Sequence, residues 1–516
     1  EDIDVANSSL EITFSKNAGE CSLPFDQGKQ RPDLPIALSR YPLSRFSGFV
    51  LYGGVPGSFD DIVKIKLVGQ MSDGEAFGIH LPLSAIKNLD GKSAQAQRAV
   101  AWHQIAVLVQ RGWRLIRQGQ FQALTNKAAR YLRGRPKQRI KHGEGVLTLL
   151  SDAERQNITL LIDHDLGGGA NQYREKLVTE KIRQGVTVLI LTYQVATLSY
   201  VAMFRNSRLD ERFAIPHINF LLELVVHLNL VEIIYNTGVS FTQPENVPAL
   251  IFKLKSRSKA RLTIFLHDFF IVCPSHFLLN NYGVFCNVPD IKTCQTCLSS
   301  NQQGFATLFA SKDITEWRTL WGATLSMADE IHAFSQSTMG LLSKAYPAID
   351  FSRAVVTPHS IEHIKSVRIS PIKTETLRIG ILGHIGLHKG ARFVQDLCAE
   401  IDKRNANIKI IVIGILEANC GSVNLTQTGS YQHDELQSLI ERFSPNIFLF
   451  PSICPETFSY VVQELMAFSL PVACFNLGAP AERLRIYKNG LILENQNPSD
   501  VLDALIKFHR STYPSH

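Results

Sequence analysis

The sequence predicts an α/β protein built from two Rossmann-like, doubly wound lobes in tandem, preceded by a small β-rich domain and a basic helical segment. Two long runs alternate apolar strand patterns with helical ones, and upstream of them the residue periodicity changes twice. At 516 residues the chain is too long for one core, so several domains are expected.

Residues 1–93 read as strands cut by turn residues: SGFVLYGGV, DIVKIKLVG and EAFGIHLPL alternate with Gly, Pro, Ser and Asp. A small β-sandwich is expected, without a chemical motif. Residues 94–145 change to helical spacing, with Trp102, Ile105, Val109, Trp113 and Ile116 on one face. Within them, 111–141 holds ten Lys or Arg and no Asp or Glu, and GRPKQRIKHGEG closes the segment as a linker. This basic, aromatic stretch reads either as a helix lying on an anionic membrane surface or as a solvated helix packed on the lobes. Nucleic-acid binding is not expected, since neither an aromatic-basic β-platform nor zinc-finger spacing is present.

The first lobe spans 146–360. ITLLID, a triple-glycine loop, a helix near 171–183, VTVLILT, a helix near Phe220, VEIIYN, a helix from Asn246 and LTIFLHD follow one another, the pattern of a parallel sheet covered on both faces. The apolar stretch 213–235 reads as a buried helix and a strand, because Pro216, His217, Asn219, Glu223, His227, Asn229 and Glu232 disqualify it as a membrane span. The second lobe spans 361–516, with LRIGILG, KIIVIGI, NIFLFPS and LPVACF as its strands. Pro358, Ser360 and Pro371 make 357–376 a hinge between lobes.

Composition is that of a folded globular protein, with 45% hydrophobic and 19% charged residues and a net charge of +7. Nine unevenly spaced cysteines do not form a disulfide-dense scaffold, and no charged-then-apolar leader follows Glu1. A reducing, cytoplasmic setting is expected, with attachment at the inner membrane face if the basic segment binds lipid.

Three motifs carry chemistry. Gly167, Gly168 and Gly169 sit between strand and helix, where absent Cβ atoms let backbone N–H groups approach a phosphate or sugar hydroxyl. The run does not satisfy G-x-G-x-x-G, which disfavours a nicotinamide dinucleotide; a plain turn is the other reading. In LRIGILGHIGLHKG, His384 and Lys389 lie in a loop where a lysine either neutralises a diphosphate or is simply solvated. PETFSYVVQE, residues 455–464, places Glu456 at an expected helix start and Glu464 eight residues on. On one continuous helix these carboxylates lie within roughly 80° and about 12 Å of each other. The amides near Thr457, Phe458 and Ser459 would then offer a positive helix end to an anion.

The spacing Glu456-x7-Glu464 resembles the E-x7-E motif of retaining GT-B glycosyltransferases, particularly glycosyltransferase family four. The LGGGA loop, HDFF at His267 and Asp268, GHIGLHKG, GSYQHDEL and LPVACFNLGAPAE match in order, so the resemblance covers about 159–508. It implies a GT-B fold with an acceptor-side first lobe and a donor-side second lobe. It also implies transfer from a nucleotide sugar to a glycan or lipid-linked acceptor, as in surface polysaccharide or O-antigen synthesis. Glu456 would contact the transferred sugar, Glu464 the ribose, Lys389 the diphosphate, His267 the donor sugar or leaving phosphate, and Ser430 and Tyr431 the base. His384 stands where the family usually has arginine. No catalytic metal is required on this reading. A nucleotide-sugar epimerase or a non-catalytic glycan-binding relative are the competing functions.

One motif stands apart. Cys273, Cys286, Cys294 and Cys297 form C-x12-C-x7-C-x2-C, which reads either as a structural zinc site or as buried free thiols.

Overall fold

The computed structural model describes residues 5–14, 20–24, 62–71, 76–81, 157–195, 199–215, 218, 220–225, 228–360, 369 and 376–513. The basic segment and linker expected over 94–145 lie outside the described residues, as does most of the expected hinge.

In the amino-terminal region β1 (Val5–Phe14), β2 (Glu20–Pro24), β3 (Ile62–Met71) and β4 (Ala76–Leu81) form one antiparallel sheet in the order β2-β1-β3-β4. The two strands expected from DIVKIKLVG and EAFGIHLPL are β3 and β4. Only this single sheet, not a sandwich, occurs among the described residues. Ile12, Phe14, Ile62 and Ile65 are buried among its described residues, while Val63 and Ile79 are exposed.

The first lobe contains β5 (Asn157–Ile162), β6 (Thr187–Gln194), β7 (Ser199–Arg205), β8 (Asp210–Ile215), β9 (Asn229–Tyr235), β10 (Arg261–Phe265), β11 (Glu330–Ala333) and β12 (Ala354–Val356). Their order is β12-β11-β10-β9-β5-β6-β7-β8. From β12 to β6 the sheet is parallel, and every residue of β6 is buried because helices cover both faces. The all-parallel expectation fails at β7 and β8, which pair antiparallel with β6 and with each other. The short turn after β7 accounts for the β7–β8 pairing: Asn206 accepts from the backbone N–H groups of Arg208 and Leu209, closing a hairpin too tight for a crossover. Phe213 accordingly lies on β8, and among the described residues the helix expected over the stretch after it is Phe220–Val225.

The second lobe contains β13 (Leu377–Ile385), β14 (Ile408–Leu416), β15 (Leu425–Gln427), β16 (Ile447–Phe450), β17 (Val472–Phe475) and β18 (Gly490–Leu493). All pair in parallel in the order β15-β14-β13-β16-β17-β18. One face is covered by helices Ala391–Lys403 and Pro498–Thr512, the other by Leu436–Phe443, Tyr460–Ala467 and Gly478–Leu484. The α/β expectation of two doubly wound lobes in tandem, preceded by a β-rich region, therefore holds. Among the described residues no helix is long and apolar enough to cross a membrane.

The lobes touch through side chains that neither fold needs alone. Phe458 of the second lobe is buried with Leu161, Phe265 and Phe334 of the first. Glu482 accepts from the amides of Gln336 and Ser337 at the start of helix Gln336–Ala345. Carboxylates are favoured there because the first amides of a helix have no partner within it.

Candidate active site

The carboxyl ends of the parallel strands in both sheets supply the candidate residues, as expected for an open α/β sheet. In the first lobe, β5 runs into Asp163, which is fully buried. Its carboxylate accepts from Asn171 Nδ2 at 2.9 Å, Arg174 Nη1 at 3.1 Å and the His164 amide at 2.8 Å. Asn171 Oδ1 in turn accepts from the Gly167 amide at 2.6 Å. The start of helix Gly169–Arg183 is thus tied back to the strand, and the glycine loop is held from below. Gly167 and Gly168 sit at φ +81° and +91°, a region side chains rarely adopt, and open space lies where a Cβ would project. Burial pushes the Asp163 carboxyl up and the His164 imidazole down.

His267 follows β10. Its carbonyl accepts from Thr457 Oγ1 of the second lobe at 2.8 Å. Its ring lies among Tyr173, Phe334 and His359, with centroids at 4.9, 4.6 and 5.2 Å. Burial, and to a smaller extent the neighbouring His359 and His164, hold its basicity well below the usual imidazole range, so the ring is neutral. Nε2 is covered and has no hydrogen-bond partner.

In the second lobe the turn Leu387–Lys389 follows β13. Gly390 closes it at φ +84°, and any Cβ there would meet the Pro451 carbonyl oxygen at 2.0 Å. That contact fixes Lys389 beside the loop after β16, where its Nζ lies 3.6 Å from Glu456 Oε1. The distance makes an ion pair but is too long for a hydrogen bond, and Glu456 Oε1 is covered without a hydrogen-bond partner. Gly478, at φ +60°, permits the close approach of this loop, because a Cβ would lie 2.7 Å from Glu456 N and O. The Ala479 amide donates to the Glu456 carbonyl at 2.9 Å.

One geometric expectation is corrected. Glu456 and Glu464 do not share a helix, because Ser459 caps the helix that starts at Tyr460 by accepting from the Val462 amide at 3.4 Å. Glu456 and Thr457 lie in the preceding loop. Ser459 uses its hydroxyl on its own helix, and Phe458 packs between the lobes under the Arg483 guanidinium, 4.2 Å from its ring centre. Glu464 is buried mid-helix, where burial pushes its carboxyl up to about 7. His433 Nδ1 lies 3.6 Å from Glu464, and burial, with a smaller contribution from the Glu464 charge, raises the Tyr431 hydroxyl above its usual range. Ser430 is exposed and Tyr431 half-buried in the loop after β15.

His384, at the end of β13, has its Nε2 2.8 Å from Oε1 of Glu417, a buried carboxylate at the end of β14. Cys273, Cys286, Cys294 and Cys297 are free thiols lining one cavity of about 590 Å³. Among the described residues no three His, Cys, Asp or Glu side chains already stand in a metal-holding arrangement.

The structure thus brings Lys389, Glu456, Thr457 and His267 together and groups Glu464 with Tyr431. Sequence reasoning missed Asp163, Asn171, Arg174, His359, Tyr460 and Glu417. An acid directly after a strand, with an arginine in the first turns of the next helix, was the available signal for Asp163 and Arg174. His359 and Tyr460 meet across the lobes, with Tyr460 Oη 3.1 Å from His359 Nδ1. Nothing local announces such a pair.

Residues 363–513 match the family model described as Glycosyl transferases group 1. That match covers the second lobe and little more. No curated protein matches the chain. Solved structures similar to it include Anabaena HepE in complex with UDP-glucose, at 15% identity and TM-score 0.43, covering 69% of this chain and 90% of that one. The lipopolysaccharide outer core galactosyltransferase WaaB is similar at 13% identity and TM-score 0.44, covering 70% and 92%. Sucrose-phosphate synthase from Thermosynechococcus elongatus is similar at 15% and 0.43, covering 69% and 94%. With TM-scores of this size, the fold of the present chain rests on its own sheets.

Proposed function

We propose that this chain is a glycosyltransferase that moves a sugar from a nucleoside diphosphate sugar to a glycan or lipid-linked acceptor, with retention of anomeric configuration. The observation that carries the reading is the cleft itself. Lys389 pairs with Glu456 in the second lobe, the adjacent Thr457 donates to the His267 carbonyl of the first, and Glu456 Oε1 and His267 Nε2 are both covered yet lack hydrogen-bond partners. Buried polar atoms without partners are rare in folded proteins and concentrate where a ligand completes them. The family match over the second lobe supports the same reading.

On this proposal Lys389 stabilises the departing diphosphate, and no catalytic metal is required. His384 adds a second donor, its ring held by Glu417. Glu456 accepts from hydroxyls of the transferred sugar and Glu464 from the ribose. Ser430 and Tyr431 lie beside the base. The neutral His267 donates from, or accepts at, Nε2 on the sugar or its phosphate. The bond from the anomeric carbon to the phosphate breaks as a bond to the acceptor oxygen forms. The acceptor proton passes to the departing phosphate oxygen, so no enzymic nucleophile is needed. Gly167, Gly168 and Gly169 line the acceptor side of the cleft or approach the donor phosphates.

Proton NMR of the product formed from an α-linked donor sugar tests the stereochemistry. The proposal expects an α-linked product at first appearance, and a β-linked first product contradicts it.

A further inference from the structure

The loop that leaves His267 runs from the end of β10 to helix Ile291–Ser300 with only one isolated bridge of regular structure. A loop of this length inside a packed lobe needs a device to hold it. Its first part is anchored by hydrogen bonds from Trp317 Nε1 to the Phe270 carbonyl at 2.9 Å and from Tyr346 Oη to the Ile271 carbonyl at 2.7 Å. These place Cys273, whose amide donates to the Phe269 carbonyl. The bridge between Leu279 and Phe285 folds the chain back, and the Cys286 amide donates to the Leu278 carbonyl at 3.0 Å. Cys294 and Cys297, three residues apart on the helix, face the same way.

All four side chains therefore arrive at one cavity, and each thiol lies within electrostatic reach of the other three. Two of the sulfurs already receive N–H groups. Arg318 Nη2 is 3.5 Å from Cys294 Sγ, and Asn301 Nδ2 is 3.4 Å from Cys297 Sγ. N–H donors of this kind stabilise negative charge on sulfur and recur around metal-bound thiolates.

We propose that Cys273, Cys286, Cys294 and Cys297 bind a structural zinc ion that staples this loop. Four thiolates and no open position suit a closed tetrahedral zinc site with bonds of about 2.3 Å. Because no three of the side chains yet stand in such an arrangement, uptake draws the sulfurs inward across the cavity. Each of the four S–H groups releases its proton to solvent as its Zn–S bond forms, and no electron is transferred. The resulting tetrathiolate carries net negative charge, which Arg318 partly offsets.

The site reaches the cleft without belonging to the chemistry there. Phe277, between the first two cysteines, stacks on His388 at 4.1 Å with an interplanar angle of 6°. His388 precedes Lys389 in the turn Leu387–Lys389. A zinc-held loop would thus brace the second lobe's turn from across the cleft. This inference stands independently of the sugar-transfer reading, because its test reads metal and not activity.

The full chain, produced with zinc in the medium, is expected to retain about one zinc per molecule, released when a mercurial reagent titrates the thiols. Cys294→Ser combined with Cys297→Ser should lower the retained zinc at least tenfold. If that variant does not fold, cobalt(II) replacement in the unaltered protein carries the test. Intense d–d bands of tetrahedral cobalt and a thiolate-to-cobalt charge-transfer band are then expected. A folded, metal-free protein with four titratable thiols and no cobalt bands overturns the proposal. Two disulfides among these cysteines in non-reducing mass spectrometry overturn it equally.

Discussion

The two strand-end edges that face each other across the cleft are built on opposite plans. On the first lobe's edge the charged side chains are turned inward: Asp163, Asn171 and Arg174 satisfy one another and the backbone beneath the glycine loop. What that edge offers to a ligand is open glycine backbone and a neutral imidazole. On the second lobe's edge Lys389 and Glu456 are paired only loosely, and Glu456 Oε1 is covered without a hydrogen-bond partner. A mutation on the first edge should therefore cost stability, and one on the second should cost chemistry.

Asp163→Ala is the strongest test of the inward plan. It removes the buried partner of the Arg174 guanidinium and leaves it only the more exposed Glu175 and Asp165, and a loss of about 3 kcal/mol in urea unfolding at neutral pH is expected. A loss below about 1 kcal/mol would remove the argument that this cluster holds the loop. On the opposite edge, Lys389→Ala should lower kcat/KM for the donor by about 10²–10³ while leaving the unfolding midpoint nearly unchanged. An equal loss of stability in both variants would erase the contrast.

Glu464 sharpens the comparison through pH. Its folded carboxyl holds a proton up to about 7, while the unfolded chain releases it near the ordinary value of 4.5. The native state binds more protons across that window, so this residue costs the wild type stability as pH rises from 4.5 to 7. Glu464→Gln should accordingly be more stable than wild type at pH 8, by on the order of 2–3 kcal/mol, with the gap closing below pH 4.5. Thermal unfolding across pH reads this, and a gap that widens toward acid would contradict it. The smallest effect belongs to Tyr460→Phe, which removes the hydroxyl meeting His359 across the lobes and should cost about 1 kcal/mol in the same unfolding measurement.

The periodic elements were legible because strand and helix patterns are local. β5, β13, β14, β16 and β17 lie where their apolar runs place them, and the glycine loop opens a helix as its spacing implies. The β7–β8 hairpin was missed because β8 carries Asp210, Glu211 and Arg212 and so lacks a sustained apolar run, and its reversal depends on Asn206 and the residues that follow. The shared helix for Glu456 and Glu464 failed for a similar reason. Ser459 is a helix cap, and a cap inside a motif moves the helix start past the first glutamate. Pairs that meet only in three dimensions, such as Tyr460 with His359 and His384 with Glu417, leave no local trace.

On the proposed function, Lys389 and Glu456 of the second lobe hold a nucleoside diphosphate sugar. Isothermal titration of UDP, GDP and dTDP sugars into wild type and Lys389→Ala, with a CMP sugar as the monophosphate control, measures this. One base is expected to bind the wild type, with affinity at least tenfold weaker in the variant. No binding by any member of the panel, or binding that Lys389→Ala leaves unchanged, would contradict the claim.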